Sequence, residues 1–214
     1  DVGAATNAGE TYVVFGFDNG AVTDQGSDAA DTLLGDAGAN VMVGGLGDDV
    51  LSGAGGLDAL TGGGGDDVLD VADLGFVNVD GGAGSDTLRI SGAGLTLDLG
   101  VAGDQKISGI EAIALTGAGS GVSLTALSVL SLSDTSNTVT ITGSAAESLT
   151  LADANWVLAS LQGTTQTFTN GGATVIADQA LATTSVTPFA PVAGDDAFIV
   201  VVGAFVEEGW QAKG

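Results

Sequence analysis

A stretch rich in glycine and aspartate, residues 26–89, carries the side chains of this sequence that are best suited to bind a cation. Written in units of nine, it reads GSDAADTLL, GDAGANVMV, GGLGDDVLS, GAGGLDALT and GGGGDDVLD, then the ten-residue VADLGFVNVD, and then GGAGSDTLR. The six matching units share an oxygen-bearing side chain at position six: Asp31, Asn40, Asp49, Asp58, Asp67 and Asp86. They also share a large apolar residue at position eight: Leu33, Met42, Leu51, Leu60, Leu69 and Leu88. Composition alone would also suit a flexible linker, but the unbroken apolar position favours a folded repeat.

The spacing predicts how these units are arranged. Glycines at positions one, two and four allow a tight turn whose carbonyl groups point inward, and the triplet around position eight is a minimal strand. Two units then form one coil of about 18 residues, so that every second turn lies on the same edge. Asp31, Asp49, Asp67 and Asp86 are predicted to stack on one edge, and Asn40 and Asp58 on the other. Because the unit at 71–80 lacks the glycine turn, we expect the second edge to end there.

Stacked turns of this kind need a cation. Carboxylates about 4.8 Å apart, the spacing of neighbouring strands, would otherwise repel each other. The sequence has no histidine and no cysteine, so any metal must be bound by oxygen, which suits calcium. The candidate ligands are the position-six side chains and carbonyl groups of turn glycines: Asp31, Asn40, Gly44, Gly47, Asp49, Gly53, Asp58, Gly62, Gly65, Asp67, Gly81, Gly84 and Asp86. Asn40 carries no charge and is the weakest of them.

The repeat resembles the nonapeptide G-G-x-G-x-D-x-U-x of the RTX, or haemolysin-type calcium-binding, family. The resemblance implies a parallel β-roll with calcium between successive turns, and we expect about three to five ions. The predicted fold class is all-β: a parallel β-roll (β-solenoid) of RTX nonapeptides, continued or capped by further β-solenoid coils or a small β-sandwich. Calcium is the predicted cofactor.

Composition limits the other functions. The chain has 214 residues, 44% of them hydrophobic, which suffices for one sizeable domain or two small ones. A formal net charge of −24, from 27 acidic and three basic residues, argues against nucleic acid as a partner. The apolar run FIVVVGAFV is too short for a membrane span, which needs about 20 residues. Without histidine or cysteine, and without a phosphate-binding loop or an EF-hand, we predict no enzyme and no catalytic residues.

The flanking segments divide the chain into four predicted parts. Residues 1–25 form an N-terminal strand segment, in which GETYVVFGFDNG resembles the closing strand of FG-GAP propeller repeats; an ordinary N-terminal strand is the alternative. Residues 26–89 form the roll. Residues 90–180, with ISGIEAIALTG and NTVTITG, resemble the region that follows RTX units and imply a β-rich cap with Trp156, Leu158 and Phe168 in its core. Residues 181–214 form a tail whose DDAFIVVV is similar to the endings of type I secretion substrates; a strand that pairs with a partner is the alternative.

The sequence therefore predicts a calcium-binding structural module of a secreted or cell-surface bacterial protein. We expect it to pass unfolded through the type I secretion machinery and to fold outside the cell on calcium binding. One alternative is a subunit of a calcium-dependent surface layer, filament or adhesin, and thus a homo-oligomer or surface assembly. Another is a folding and delivery module of a hydrolase whose catalytic domain lies outside this chain.

Overall fold

The computed structural model describes residues 22–100, 106–133 and 136–185. The segment that resembles an FG-GAP strand and the segment DDAFIVVV both lie outside these residues. The expectations for them therefore stay predictions.

The first part of the chain is a two-sided parallel roll. Successive strands alternate between two sheets, and strands of one sheet pair in parallel, with Thr32 beside Val50 and Val50 beside Val68. This register confirms the predicted coil of two nonapeptides. The strands of the roll are β1 (Asp24–Gln25), β2 (Thr32–Leu34), β3 (Val41–Leu46), β4 (Val50–Ser52), β5 (Ala59–Gly64), β6 (Val68–Val71), β7 (Asn78–Ala83) and β8 (Thr87–Ile90).

The position-eight residues form the core of the roll. Leu51 pairs with Leu69 and Leu69 with Leu88 in one sheet, while Met42 pairs with Leu60 in the other. All five side chains are fully buried. Because the strands are only two to six residues long, one or two inward side chains per strand supply most of the apolar burial.

The sheet whose strands follow the turns of the second edge does not end at the unit 71–80. β7 pairs in parallel with β5, with Val79 beside Leu60, so the coil is closed in spite of its extra residue. Asp73 replaces the missing glycine turn, since its carboxylate accepts hydrogen bonds from the backbone N–H of Gly56 (3.2 Å) and of Gly75 (2.8 Å). The row of oxygen-bearing position-six side chains on this edge does end at Asp58, because Val77 occupies the equivalent position in the next coil.

The cap continues the solenoid in wider coils. β11 pairs in parallel with β8, β13 with β11, and a third sheet is added by the order β18-β14-β12-β9. Further solenoid coils, and not a β-sandwich, therefore follow the roll. The elements of the cap are β9 (Thr96–Asp98), β10 (Ile107–Ser108), β11 (Ala112–Leu115), β12 (Gly121–Leu124), α1 (Ala126–Leu132), β13 (Thr138–Thr142), β14 (Ser148–Leu151), β15 (Val157–Gln162), β16 (Thr165–Asn170), β17 (Ala173–Asp178) and β18 (Ala182–Ser185).

A short helix, α1, lies between β12 and β13 in the chain. Thr125 starts it with a capping box: the Thr125 side chain accepts from the Ser128 backbone N–H, and the Ser128 side chain accepts from the Thr125 N–H. Its residues Val129 and Leu132 are buried, and the Leu132 carbonyl accepts the N–H of Ile110. No helix within the described ranges is long and apolar enough to cross a membrane.

The last part of the cap is antiparallel. β15, β16 and β17 form a meander that is joined to the parallel sheet through β17 and β13. Trp156 and Phe168 are 1% and 2% exposed, and Leu158 packs against the same core, as predicted. The antiparallel meander itself was not expected from the sequence.

Candidate metal centre

Four aspartates form a continuous file along one edge of the roll. The Oδ1 atom of Asp49 accepts the backbone N–H of Asp31 at 2.7 Å, and the Oδ1 of Asp67 accepts that of Asp49 at 2.7 Å. The Oδ1 of Asp86 accepts the N–H of Asp67 at 2.8 Å. The structure therefore places these four residues on one edge, as the 18-residue coil predicts. Each contact joins one coil to the next.

The second oxygen of three of these carboxylates has no partner. The Oδ2 atoms of Asp49, Asp67 and Asp86 are buried and accept no hydrogen bond. The three residues are at most 1% exposed. An ionised carboxylate in this position costs several kcal/mol unless something compensates its charge.

The space beside each unpartnered oxygen is bordered by a backbone carbonyl group of the next coil. A Cβ atom on Gly44 would contact Asp49 Oδ2 and would lie 2.5 Å from the Gly62 carbonyl oxygen. A Cβ on Gly62 would contact Asp67 Oδ2 and would lie 2.5 Å from the Gly81 carbonyl oxygen. The first glycine of the unit therefore leaves a small space between a carboxylate and a carbonyl oxygen. These are the hard oxygen donors that calcium prefers, so the residues present fit this ion.

The glycines at positions two and four are needed for the turn itself. Gly45, Gly63 and Gly65 have φ of 118°, 117° and 132°, which side chains rarely adopt. A Cβ on Gly63 would collide with the Gly45 carbonyl oxygen, and one on Gly65 with the carbonyl oxygen of Gly47. The carbonyl groups of successive turns are therefore stacked along the same edge.

Comparison with known families agrees with this geometry. The family model of the RTX calcium-binding nonapeptide repeat, in four copies, matches residues 25–60 and 43–73. Residues 25–73 are RTX calcium-binding nonapeptide repeats. Such repeats bind calcium ions and form a parallel β-roll, which is the architecture of residues 24–90 here. No curated protein and no solved structure matches the chain.

The first edge, which carries Asp31, Asp49, Asp67 and Asp86, supplies single carboxylates and not clusters of them. Within the described ranges, no three acidic side chains converge on one point. Each interturn position of this edge therefore presents one buried carboxylate oxygen, and further ligands would have to come from backbone carbonyl groups.

Burial controls the protonation of these carboxylates. Burial, together with the neighbouring carboxylates in the file, raises the pKa of Asp67 and of Asp86 to about 6. The pKa of Asp49 and that of Asp58 are also raised, again chiefly by burial. These pKa values rise because several uncompensated negative charges lie close together in a region that water does not reach.

Asp31, at the start of the file, differs from the other three. Its Oδ2 accepts hydrogen bonds from the backbone N–H of Ser27 at 2.6 Å and from the Ser27 hydroxyl at 2.7 Å. These bonds lower the pKa of Asp31. The protein itself thus satisfies the carboxylate that a cation satisfies in an RTX turn, which makes Asp31 a weaker candidate ligand than Asp49.

The second edge contains the remaining candidates. Asp58 Oδ1 accepts the N–H of Asn40 at 2.9 Å, and a Cβ on Gly53 would contact Asp58 Oδ2. The Asn40 Oδ1 accepts the N–H of Asp36 at 3.1 Å. Outside the first edge, the buried carboxylate oxygen without a partner among the described residues is Oδ1 of Asp70, whose Oδ2 pairs with Arg89 at 3.0 Å.

Sequence reasoning missed two features of the site. Asp48 and Asp66, at position five, form a second file: Asp48 Oδ1 accepts the N–H of Asp66 at 2.8 Å, and Asp66 Oδ1 that of Ser85 at 2.9 Å. The repeated Asp-Asp pairs were the signal for it. The other missed residue is Glu111 of the cap, whose Oε2 accepts the N–H of Asp86 at 2.8 Å.

Proposed function

We propose that this chain is a calcium-binding structural module of a secreted or cell-surface bacterial protein, and that its RTX roll folds when calcium binds outside the cell after type I secretion. The observation that supports this most directly is the set of three buried, unpartnered carboxylate oxygens on one edge, of which those of Asp49 and Asp67 lie beside the first glycine of a turn. When bound, calcium supplies the positive charge that joins one turn to the next.

The proposed ligands follow from the contacts of each turn. Asp49 and Asp67 contribute Oδ2, and Gly62 and Gly81 contribute the carbonyl oxygens that border the same spaces. The carbonyl groups of Gly47, Gly65 and Gly84 belong to the same turns, and Gly44 keeps its space open by having no side chain. On the second edge, Asp58 and Gly53 correspond to Asp49 and Gly44, because a Cβ on Gly53 would contact Asp58 Oδ2.

Calcium dependence follows from the energetics of the edge. Without a cation, the roll must bury several carboxylates of like charge, and a chain with a net charge of −24 resists compaction. With a cation, those same groups become ligands, and the binding free energy contributes to folding because the unfolded chain has no preformed site. Low calcium inside a cell and millimolar calcium outside would then separate an unfolded state for export from a folded one.

The test is a calcium titration of the chelator-stripped chain, followed by far-ultraviolet circular dichroism, with magnesium in parallel. We expect a cooperative gain of β-structure with calcium and little change with magnesium, which demands a smaller, octahedral set of ligands. A roll that is equally folded in chelator would contradict the proposal.

Assembly on a surface is a second candidate, favoured by the open edge of the largest sheet. Among the strands of the described residues, β15 is the last of that sheet, and its Val157 and Leu161 are 39% and 52% exposed. An edge strand with exposed apolar side chains offers hydrogen bonds and contacts to another strand. Light scattering with and without calcium tests this candidate: growing particles in calcium would support it, and a monomer at all calcium concentrations would contradict it.

A further inference from the structure

The carboxylate file continues past the last nonapeptide into the cap. Leu88 pairs with Ile113, which places Glu111 beside Asp86 in the next coil. The Glu111 Oε2 accepts the backbone N–H of Asp86 at 2.8 Å, the bond that an aspartate makes at each earlier step. Glu111 lies outside the residues that the RTX family model matches.

The space at this junction is also bordered by a backbone carbonyl group of the next coil, although the Asp86 atoms nearest to a Cβ on Gly81 are its own Cβ and carboxyl carbon and not Oδ2. Asp86 is completely buried, and its Oδ2 has no hydrogen-bond partner. A Cβ on Gly81 would collide with the carbonyl oxygen of Gly109 and would lie 2.8 Å from the Asp86 carboxyl carbon. Gly109, with φ of 60°, thus presents its carbonyl group as Gly62 and Gly81 do in the preceding turns, although the sequence around it is not a nonapeptide.

We propose that a calcium ion binds between the last glycine turn and the first coil of the cap, with Asp86 Oδ2, the Gly109 carbonyl oxygen and the Glu111 carboxylate as ligands. This inference rests on the proposed function of the roll and adds a site whose ligands come from both parts of the chain. Asp86 and Glu111 bring two carboxylates together at the junction, as Asp67 and Asp86 do at the step before it, and this negative charge favours a divalent cation.

The position of Glu111 gives the site a structural consequence. Glu111 immediately precedes β11, which pairs with β8 of the roll on one side and with β13 of the cap on the other. An ion held by Asp86 and Glu111 therefore joins the roll to the cap. Calcium stabilises the attachment of the cap as well as the roll itself.

The experiment counts calcium ions bound per full-length chain by isothermal titration calorimetry. Glu111→Gln keeps an oxygen that can accept the Asp86 N–H but removes the negative charge, and we expect it to bind one ion fewer than the wild type. Glu147→Gln is the matched control, because Glu147 is also a glutamate of the cap that accepts a backbone N–H, with its Oε2 bonded to the N–H and hydroxyl of Ser144 at 2.8 and 2.7 Å. The control is expected to bind the wild-type number.

Thermal melting separates a ligand from a purely structural glutamate. We expect Glu111→Gln to lower the Tm in calcium and to leave it unchanged or raised in chelator. A wild-type ion count in Glu111→Gln, or an equal loss of Tm with and without calcium, would overturn the junction site. Asp67→Asn tests calcium binding by the roll independently of that result. A wild-type chain that takes up no calcium would overturn the proposed function as well.

Discussion

Three aspartates of the first edge, Asp49, Asp67 and Asp86, use their two oxygens differently. Oδ1 accepts a backbone N–H of the preceding coil, and Oδ2 of Asp49, Asp67 and Asp86 is left without a partner in the protein. The first contact holds coils together whether or not an ion is bound. The second atom is costly without an ion and stabilising with one, so the same side chain makes opposite contributions in the two states.

The substitution Asp49→Asn tests this division. Asparagine keeps an oxygen for the Asp31 N–H but carries no charge. In excess calcium we expect the free energy of unfolding to fall by about 1–3 kcal/mol, because a charged ligand is lost. In chelator we expect it to stay the same or to rise, since a buried charge has been removed. Urea unfolding under both conditions measures the difference.

Asp28→Asn is the control for that experiment. Asp28 lies in the same roll, and its substitution changes the net charge by the same amount, but the residue is exposed. We expect its effect to be small and of the same sign with and without calcium. An Asp49→Asn variant whose loss of stability is independent of calcium would contradict the assignment of Oδ2 as a ligand.

The pH dependence of the calcium-free roll follows from the raised pKa values of Asp67 and Asp86, about 6 in the folded chain against an ordinary value of 3.8. A raised pKa means that the folded state binds the proton more tightly than the unfolded state does. The destabilisation is therefore fully present above about pH 6 and disappears as the pH falls toward 4. We expect the Tm of the calcium-free chain to rise when the pH is lowered from 7.5 to 5.

Calcium reverses this dependence, because its ligands must be deprotonated. In excess calcium, the Tm should fall over the same pH interval as protons compete for Asp67 and Asp86. Asp67→Asn serves as the control and should weaken both trends. Parallel pH profiles in the presence and absence of calcium would contradict the prediction.

At the scale of an element, the glycine turn has two kinds of glycine. Those with positive φ are needed for the backbone conformation, whereas Gly62 has an ordinary φ and is needed for the space beside it. A Cβ on Gly62 would enter the space between Asp67 Oδ2 and the Gly81 carbonyl oxygen. This glycine therefore tests the site without testing backbone strain.

We expect Gly62→Ala to weaken calcium binding and to lower stability in calcium by about 1–3 kcal/mol, since the added methyl group overpacks the turn. Gly64→Ala is the matched control: Gly64 lies in the same strand, its φ is also ordinary, and its Cβ would meet only Leu46 Cδ2 at 3.2 Å. Calorimetric titration and thermal melting compare the two variants. Equal calcium affinities would show that the space at Gly62 is not part of a site.

The elements also show how far the sequence determines the site. The nine-residue repeat specifies the coil, the inward apolar residue and the edge of each aspartate, because these depend only on spacing. It does not reveal Glu111, because this residue lies in a cap coil outside the repeat. In that coil Ile113 pairs with Leu88, which is 25 residues earlier in the chain. Nor does it reveal the meander β15–β17, whose alternating pattern suits either strand direction.

At the scale of the whole molecule, stability is distributed along the solenoid. Each coil of the roll pairs with the coils before and after it, and one continuous hydrophobic core runs along the coils from Met42 to Leu181. Only three basic residues oppose 27 acidic ones, and Arg89 forms the one ion pair within the described part of the chain. Bound cations must therefore reduce repulsion within the entire molecule as well as satisfy individual carboxylates.

Small-angle X-ray scattering separates specific bridging from general screening of this charge. We expect the radius of gyration of the chelator-stripped chain to lie between about 50 Å, the value for an unfolded chain of this length, and about 17 Å, the value for a compact one, and to fall in millimolar calcium as the roll closes. Sodium chloride at the same ionic strength is the control; it shortens the range of repulsion but cannot bridge a carboxylate and a carbonyl group of successive turns. Equal compaction by sodium would mean that repulsion alone keeps the chain open and that the buried oxygens need no ion. Compaction by calcium alone would identify bridging between turns as the event that closes the roll.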